Sequence, residues 1–220
     1  MGYLRGMKKI LSILLIGSAV LAGCSKKNTP GPSSSDSYLP VTSGSTWTYN
    51  DVVGGSNSPL TVKMTGGTTT INGKTYYVST SSSILKGTTT GYYYVANHSY
   101  ALRATAASVN ITLEMQLGND EQNAGYSWTT VPTDNGTVNG VSAKMINTIK
   151  EKNITKVVNG KTFTNVMHTQ VDLQYDLGIG FQSIAVYDIY LAKGVGMIES
   201  DTSIQGSPYE VATITGYTIK

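Results

Sequence analysis

Three kinds of side chain in this sequence could do chemistry: a lone cysteine, two histidines, and an unusual stock of tyrosines. Cys24 is the only thiol and closes Leu21-Ala22-Gly23-Cys24, at the end of an apolar run and ahead of a Ser/Pro-rich stretch. This is the pattern of a bacterial lipobox, in which the thiol receives a diacylglyceryl group and cleavage leaves Cys24 as the new N-terminus. Arg5, Lys8 and Lys9 supply the positive n-region. Residues 10–21 form the apolar run, too short for the roughly 20 residues of a spanning helix. Met7 is a tidier start for such a signal than Met1. Each buried methylene adds about 0.8 kcal/mol, so a Cys24 carrying two or more palmitate-type chains is a stable anchor. With its thiol alkylated, the mature chain has no disulfide and no thiol nucleophile.

The histidines are His98 and His168. His168 alternates with Val166, Gln170 and Asp172 on a candidate strand, and Asp172 lies about 13 Å along it, too far to share a metal unless another segment contributes. His98 falls in a predicted turn. No Gly-x-Ser-x-Gly elbow presents a serine, so the expectation is two structural histidines and no catalytic residue. Gly178-Ile179-Gly180 and Gly194-Val195-Gly196 lack the third glycine and the following helix of a dinucleotide site, and mark bulges or tight turns instead. Asn119-Asp120-Glu121-Gln122-Asn123 is oxygen-rich but lacks calcium-loop spacing and reads as a solvated turn. No metal or other cofactor is expected.

The tyrosines are the remaining candidates. There are 15, and Tyr76-Tyr77 and Tyr92-Tyr93-Tyr94 occupy adjacent positions. Neighbours on a strand point to opposite faces, so some of these rings line a concave or outer face where they could stack on sugars or contact lipid. Tyr92, Tyr94, Tyr187 and Tyr190 are the candidate ligand-binding residues; high strand propensity alone accounts for tyrosines that merely cover a sheet.

Strands must position them. Charged residues make up 13% of the chain, while Gly, Ser, Thr and Tyr are plentiful, a mixture that favours strands and turns. Alternation predicts strands from Thr46, from Leu60 through Met64, and from Ile111 through Leu117. Asn72-Gly73, Asn97-His98, Asn139-Gly140, Asn159-Gly160 and Lys193-Gly194 mark the turns. Residues 104–109 are the best candidate for a short helical turn. Residues 1–23 form the signal peptide, 24–37 the lipidated cysteine and a tether spanning on the order of 20 Å as a coil, and 38–220 one all-β domain. The domain is expected to be an antiparallel meander, curved into a half-barrel or closed as a sandwich. Lys and Arg total 16 against 13 acids; three of the cations leave with the signal peptide, so the mature chain is neutral and lacks the basic footprint of a nucleic-acid binder.

Three stretches recur in order: Gly44-Ser45-Thr46-Trp47-Thr48 with Gly125-Tyr126-Ser127-Trp128-Thr129, Asn72-Gly73-Lys74-Thr75-Tyr76 with Asn159-Gly160-Lys161-Thr162-Phe163, and Tyr94-Val95-Ala96 with Tyr190-Leu191-Ala192. They fit either an internal duplication or convergence of turn motifs.

Tyr38-Leu39-Pro40, Gly44-x-x-Trp47-x-Tyr49, the Asn159-Gly160 hairpin and Tyr190 to Ile198 together resemble the uncharacterised envelope lipoproteins of Bacteroidetes-type bacteria. That group is more distantly similar to periplasmic half-barrels of the lipoprotein-carrier (LolA-like) type, whose helices plug an apolar cavity; no such helix is predicted here. The resemblance implies a membrane-anchored, non-enzymatic binding or assembly module working on an envelope protein, glycan or lipid. A carrier of an apolar ligand and an envelope hydrolase are the alternatives. Sorting in such bacteria resembles a rule in which an acidic run just after the lipidated cysteine marks export to the cell surface. Cys24 is followed by Ser25, Lys26, Lys27 and Asn28, so the resemblance implies an outer-membrane lipoprotein facing the periplasm.

Replacing Cys24 with Ser is expected to release the protein from the membrane fraction or strand it as uncleaved precursor. Metabolic labelling with a fatty-acid probe checks this: wild type takes up label and Cys24→Ser does not.

Overall fold

The computed structural model describes residues 36–84, 87–106 and 111–220; Cys24 and the segments expected to be signal peptide and tether, up to residue 35, lie outside the described residues. The described chain is β-strand and turn with no helix. The strands are β1 (Thr46–Val53), β2 (Ser56–Asn57), β3 (Leu60–Ile71), β4 (Lys74–Ser83), β5 (Gly87–Ala96), β6 (Ser99–Ala106) and β7 (Ile111–Asn119), followed by β8 (Ser127–Thr130), β9 (Thr137–Val138), β10 (Val141–Val158), β11 (Lys161–Asp176), β12 (Phe181–Ala192), β13 (Gly196–Ile204) and β14 (Ser207–Thr218). Two-residue turns join many of them. Asn72-Gly73, Asn97-His98, Asn139-Gly140, Asn159-Gly160 and Gln205-Gly206 all have positive φ at both central residues. That geometry matches the twist of the flanking strands, and Asn and Gly tolerate it best.

Strand order is β7-β6-β5-β4-β3-β1-β14-β13-β12-β11-β10-β8, all antiparallel, with β2 beside β1 and β9 beside β10. The sheet goes beyond the expected half-barrel and nearly closes into a barrel with one seam, between β7 and the β8/β10 side. The long strand β3 runs past the expected Leu60–Met64 segment as far as Ile71; its register shifts between Met64 and Thr68, where Gly66 and Gly67 sit. The helical turn expected over residues 104–109 is not formed at Ala104–Ala106, which extend β6 and pair with β7 as far as Ile111; residues 107–110 lie outside the described residues.

The inward faces fill the barrel. One core cluster gathers Leu113, Met115 and Leu117 of β7 with Met145, Ile149, Met167, Val171, Tyr187 and Ile189. A second gathers Trp47, Tyr49, Leu60, Val62 and Met64 with Val166, Ile198 and Ile214. Residues 37–41 are all buried and plug the end of the barrel carrying the 97–98 and 193–194 turns. Ser37 accepts a backbone bond from Gly194 at 2.8 Å, and the Tyr38 and Tyr100 rings meet edge to face. Across the seam β7 packs over β11: a methyl group at Gly118 would strike the Met167 side chain and Thr169 Oγ1.

The three recurring stretches fall on corresponding strands. Each half runs as a six-strand meander, β1-β3-β4-β5-β6-β7 and β8-β10-β11-β12-β13-β14, with a two-residue strand after the first member. Trp47 and Trp128 are each the second residue of their half, the Asn-Gly turns join β3–β4 and β10–β11, and the Tyr-x-Ala ends close β5 and β12. Matching positions in matching topology favour duplication over convergence.

The matching halves differ at the two tryptophans, each of which opens a strand after a Gly-x-x turn and is therefore expected to face the core. Trp47 is 4% exposed and its indole N–H donates to Val195 O at 2.6 Å. Trp128 is half-buried and stacks on exposed Tyr126, because no strand pairs with the seam side of β8. Trp47→Ala is expected to cost about 3–5 kcal/mol in urea unfolding, as large core truncations do. Trp128→Ala is expected to cost about 1 kcal/mol, in the range of partly exposed sites.

Candidate functional site

Two core clusters occupy the inside of the barrel. The apolar pocket between Leu39, Pro40, Trp47, Tyr49, Met64, Tyr93 and Met197 measures about 10 Å³, no more than one water occupies. The larger cavity, about 540 Å³, opens on the outer wall beside the seam.

Its floor follows from register. Val78, Tyr92, Arg103 and Glu114 stand opposite one another across β4, β5, β6 and β7, so they share the face pointing away from the core. Arg103 and Tyr76 are nonetheless buried. The segment after β8 covers them: Pro132 O accepts from the Glu114 N–H at 2.8 Å, a bond that continues the ladder across the seam. Beyond it the chain turns on itself, with the Thr133 hydroxyl donating to Thr137 O at 2.8 Å and the Thr137 N–H donating to Asn135 Oδ1 at 3.0 Å. This turn aims Asp134 back over the wall.

The polar groups converge there. Arg103 Nη1 and Nη2 donate to the two Asp134 oxygens at 2.8 and 2.6 Å, a bidentate fork. Lys74 Nζ donates to Glu114 Oε1 at 2.8 Å and the Tyr76 hydroxyl to Glu114 Oε2 at 2.5 Å. The Arg103 guanidinium holds the Asp134 carboxyl below its ordinary range, helped by Asn72 and Lys74. Burial, then the bond to Glu114, pushes the Tyr76 hydroxyl well above its usual value, so Tyr76 acts as a donor and not as a base. Gln116, Thr129, Thr130 and Thr133 complete a hydroxyl- and amide-rich rim. Two cations face two carboxylates, which suits the cleft to holding a polar molecule.

The four candidate tyrosines are not brought together. Tyr92 and Tyr94 lie on the wall that carries the cleft; Tyr92 is the cross-strand neighbour of Arg103, and the Tyr94 ring lies 5.8 Å from Tyr76 with Lys74 Nζ above it. Tyr187 is 2% exposed in the core. Tyr190 stands on the outer wall of the second half, stacked on His168 with ring centroids 4.2 Å apart. Sequence reasoning missed Arg103, Glu114 and Asp134. One signal was available: Arg103 is the only arginine after Arg5 in a lysine-rich chain, and arginine is the residue suited to a buried fork.

His168 is a strap between strands. Its Nε2 meets Asp188 of β12 at 2.7 Å and its Nδ1 meets Glu151 of β10 at 3.2 Å. Both ring nitrogens are thereby engaged by carboxylates of the two flanking strands. His98 bonds Asp120 at 2.7 Å from its turn. In the oxygen-rich loop, the carbonyls of Asp120 and Gln122 accept from the Lys152 ammonium. Among the described residues no group of three or more His, Cys, Asp or Glu side chains could hold a metal ion.

Neither a protein-family model nor a curated protein matches the sequence. Two crystal structures share the fold. One is of a protein from Bacteroides fragilis described as exported and as having a YmcC-like fold, with TM-score 0.52 and 9% identity, covering 83% of this chain and 99% of that one. The other is of a protein from Parabacteroides distasonis described as a lipoprotein, with TM-score 0.51, 10% identity and the same coverage. At these identities the likeness is one of fold.

The second wall carries a pH signature of its own. Asp201 sits two residues from Glu199 on one face of β13, and Lys156 pairs with Glu199 at 2.9 Å. Burial, then the Glu199 charge, raises the Asp201 carboxyl to about 6. Its unfolded value is about 3.9, so the folded state holds the proton more tightly between these values. Stability therefore falls as pH rises through that window and stays lower above it. Asp201→Asn is expected to stabilise the protein by about 1 kcal/mol at neutral pH, after allowance for solvent screening. Urea titrations between about pH 4 and 6 should also show a flatter slope than wild type.

Proposed function

We propose that this chain is a lipid-anchored envelope lipoprotein that works without catalysis, as a binding module that holds a polar ligand in the cleft beside the seam. The observation that carries this is the pairing of a well-filled barrel interior with an outer cleft of about 540 Å³ built on the buried Arg103. The lipobox at Cys24 supplies attachment, and the Ser25-Lys26-Lys27-Asn28 start supports an outer-membrane anchor with the domain in the periplasm. The neighbours' descriptions as exported protein and lipoprotein agree with an address in the envelope. The carrier reading needs an apolar cavity, and the interior pocket of about 10 Å³ gives it little support. A hydrolase reading centred on His168 gains little support, since both of its ring nitrogens are engaged by carboxylates.

A muramidase digest of peptidoglycan and a hydrolysate of surface polysaccharide, each titrated into the full mature chain in detergent micelles, test the proposal. The Arg103 Nε–H resonance is a unique reporter, since no other arginine follows Arg5. Saturable shifts of Arg103 and of the Thr129 and Thr130 amides, with His168 unmoved, are expected from at least one mixture. Shifts spread evenly over the barrel, or none, would sink the binding reading.

A further inference from the structure

We infer that the ligand of this cleft is a carboxylate-bearing sugar of the uronic-acid class, and that Asp134 occupies the seat of its carboxylate until it binds. This rests on the cleft being a binding site. The Arg103 side chain is 9% exposed, whereas the Asp134 side chain that fills its fork is 55% exposed. A buried guanidinium gripped by an exposed carboxylate either ties down a loop or stands in for something else.

The loop does not depend on that tie. Residues 131–137 are fixed by the Glu114–Pro132 backbone bond, by the Thr133 and Asn135 side chains bonding Thr137, and by Gly136 O accepting from the Ala143 N–H at 2.8 Å. Asp134 projects from this scaffold, and rotating its side chain into water leaves every one of those bonds in place.

Charge then sets the ligand's sign. With Asp134 seated, Arg103 and Lys74 balance Asp134 and Glu114. Glu114 is already engaged by Lys74 and Tyr76 and stands 3.8 Å from Arg103, so it cannot replace Asp134 in the fork. When Asp134 leaves, one partly buried cation is uncompensated, and one planar, singly charged carboxylate restores both the charge and the two parallel bonds. A lone carboxylate would have to outcompete a tethered one, so the ligand must gain from further contacts. The Thr129, Thr130 and Gln116 groups around the cavity offer these to hydroxyls. A neutral sugar has no means of displacing Asp134.

Glucuronate, glucose and acetate, titrated separately into the full mature chain in detergent micelles, test this by the Arg103 Nε–H shift and the Thr129 and Thr130 amides. Glucuronate is expected to move all three reporters, acetate to bind at least about tenfold more weakly, and glucose to leave Arg103 unmoved. Asp134→Asn removes the competing charge at constant size and is expected to tighten glucuronate about tenfold or more, equivalent to about 1.4 kcal/mol. Arg103→Lys is expected to abolish glucuronate binding. Equal glucuronate affinity in wild type and Asp134→Asn overturns the proposal even if Arg103→Lys fails to fold. Acetate binding as tightly as glucuronate overturns the sugar assignment. Glucose moving Thr129 and Thr130 but not Arg103 would keep the cleft as a site while overturning an acidic ligand; silence of every cleft resonance with all three, together with the glycan mixtures, would remove the cleft itself.

Discussion

A β-sheet must end somewhere, and each free edge leaves backbone N–H and C=O groups without partners. In this protein one pairing removes two such edges at once: β1 lies along β14 from Thr46 opposite Thr218 to Val53 opposite Glu210. It is the one joint on the main path of the sheet that hairpins or short connections do not make. Side chains reinforce it from the first half into the second. The Trp47 indole and the Tyr49 hydroxyl donate to the carbonyls of Val195 and Met197, and the Thr215 hydroxyl donates to Thr48 O. Closing so long a loop costs only a little more entropy than closing a short one, since the cost grows with the logarithm of length. The burial of Trp47, Tyr49 and Ile214 at the joint offsets it.

The matching plan of the two halves makes the seam the counterpart of that joint. In one place a half's first strand pairs with the other half's last strand; in the other, β7 and β8 do not form a ladder. β7 instead folds over β11, with Gly118 admitting Met167 and Thr169, and its edge is met by Pro132. The same tryptophan position is therefore core at the joint and surface at the seam. The cleft exists because the seam is imperfect: the segment that bridges it crosses the outer wall, and in crossing buries an arginine that an ordinary barrel wall would leave in water. Departures from a repeat concentrate where function can be added without disturbing the shared core.

Much of the fold was legible because its turns are chemically explicit. Asn-Gly pairs need no tertiary context to specify positive φ, and alternation from Ile111 to Leu117 places Leu113, Met115 and Leu117 inward as it must. Partner choice was not legible: nothing local in Thr46–Val53 names β14. Faces were only partly legible. Tyr187 and Tyr190 are three residues apart and so oppose one another, and register shifts next to Tyr190 and between Tyr100 and Ala101 break any count carried from strand to strand. Arg103, Glu114 and Asp134 are joined by register and by a loop crossing, neither of which is written in their spacing.

The tether's point of departure limits what the cleft can meet. Residues 37–41 enter the barrel at the end bearing the 97–98 and 193–194 turns, so the proposed anchor at Cys24 would draw that end towards the bilayer. The Asn72-Gly73 turn lies at the same end, since Lys74 and Ala96 flank the Tyr77–Tyr93 pair on the same side. Asn72 and Lys74 line the cleft; the cleft thus opens sideways from the half of the barrel that residues 37–41 enter and not from its far tip. Strands of ten to twelve residues span roughly 33–40 Å, longer than the roughly 20 Å expected of residues 24–37 as a coil. On the proposed anchoring, the cleft would suit a ligand running alongside the membrane surface.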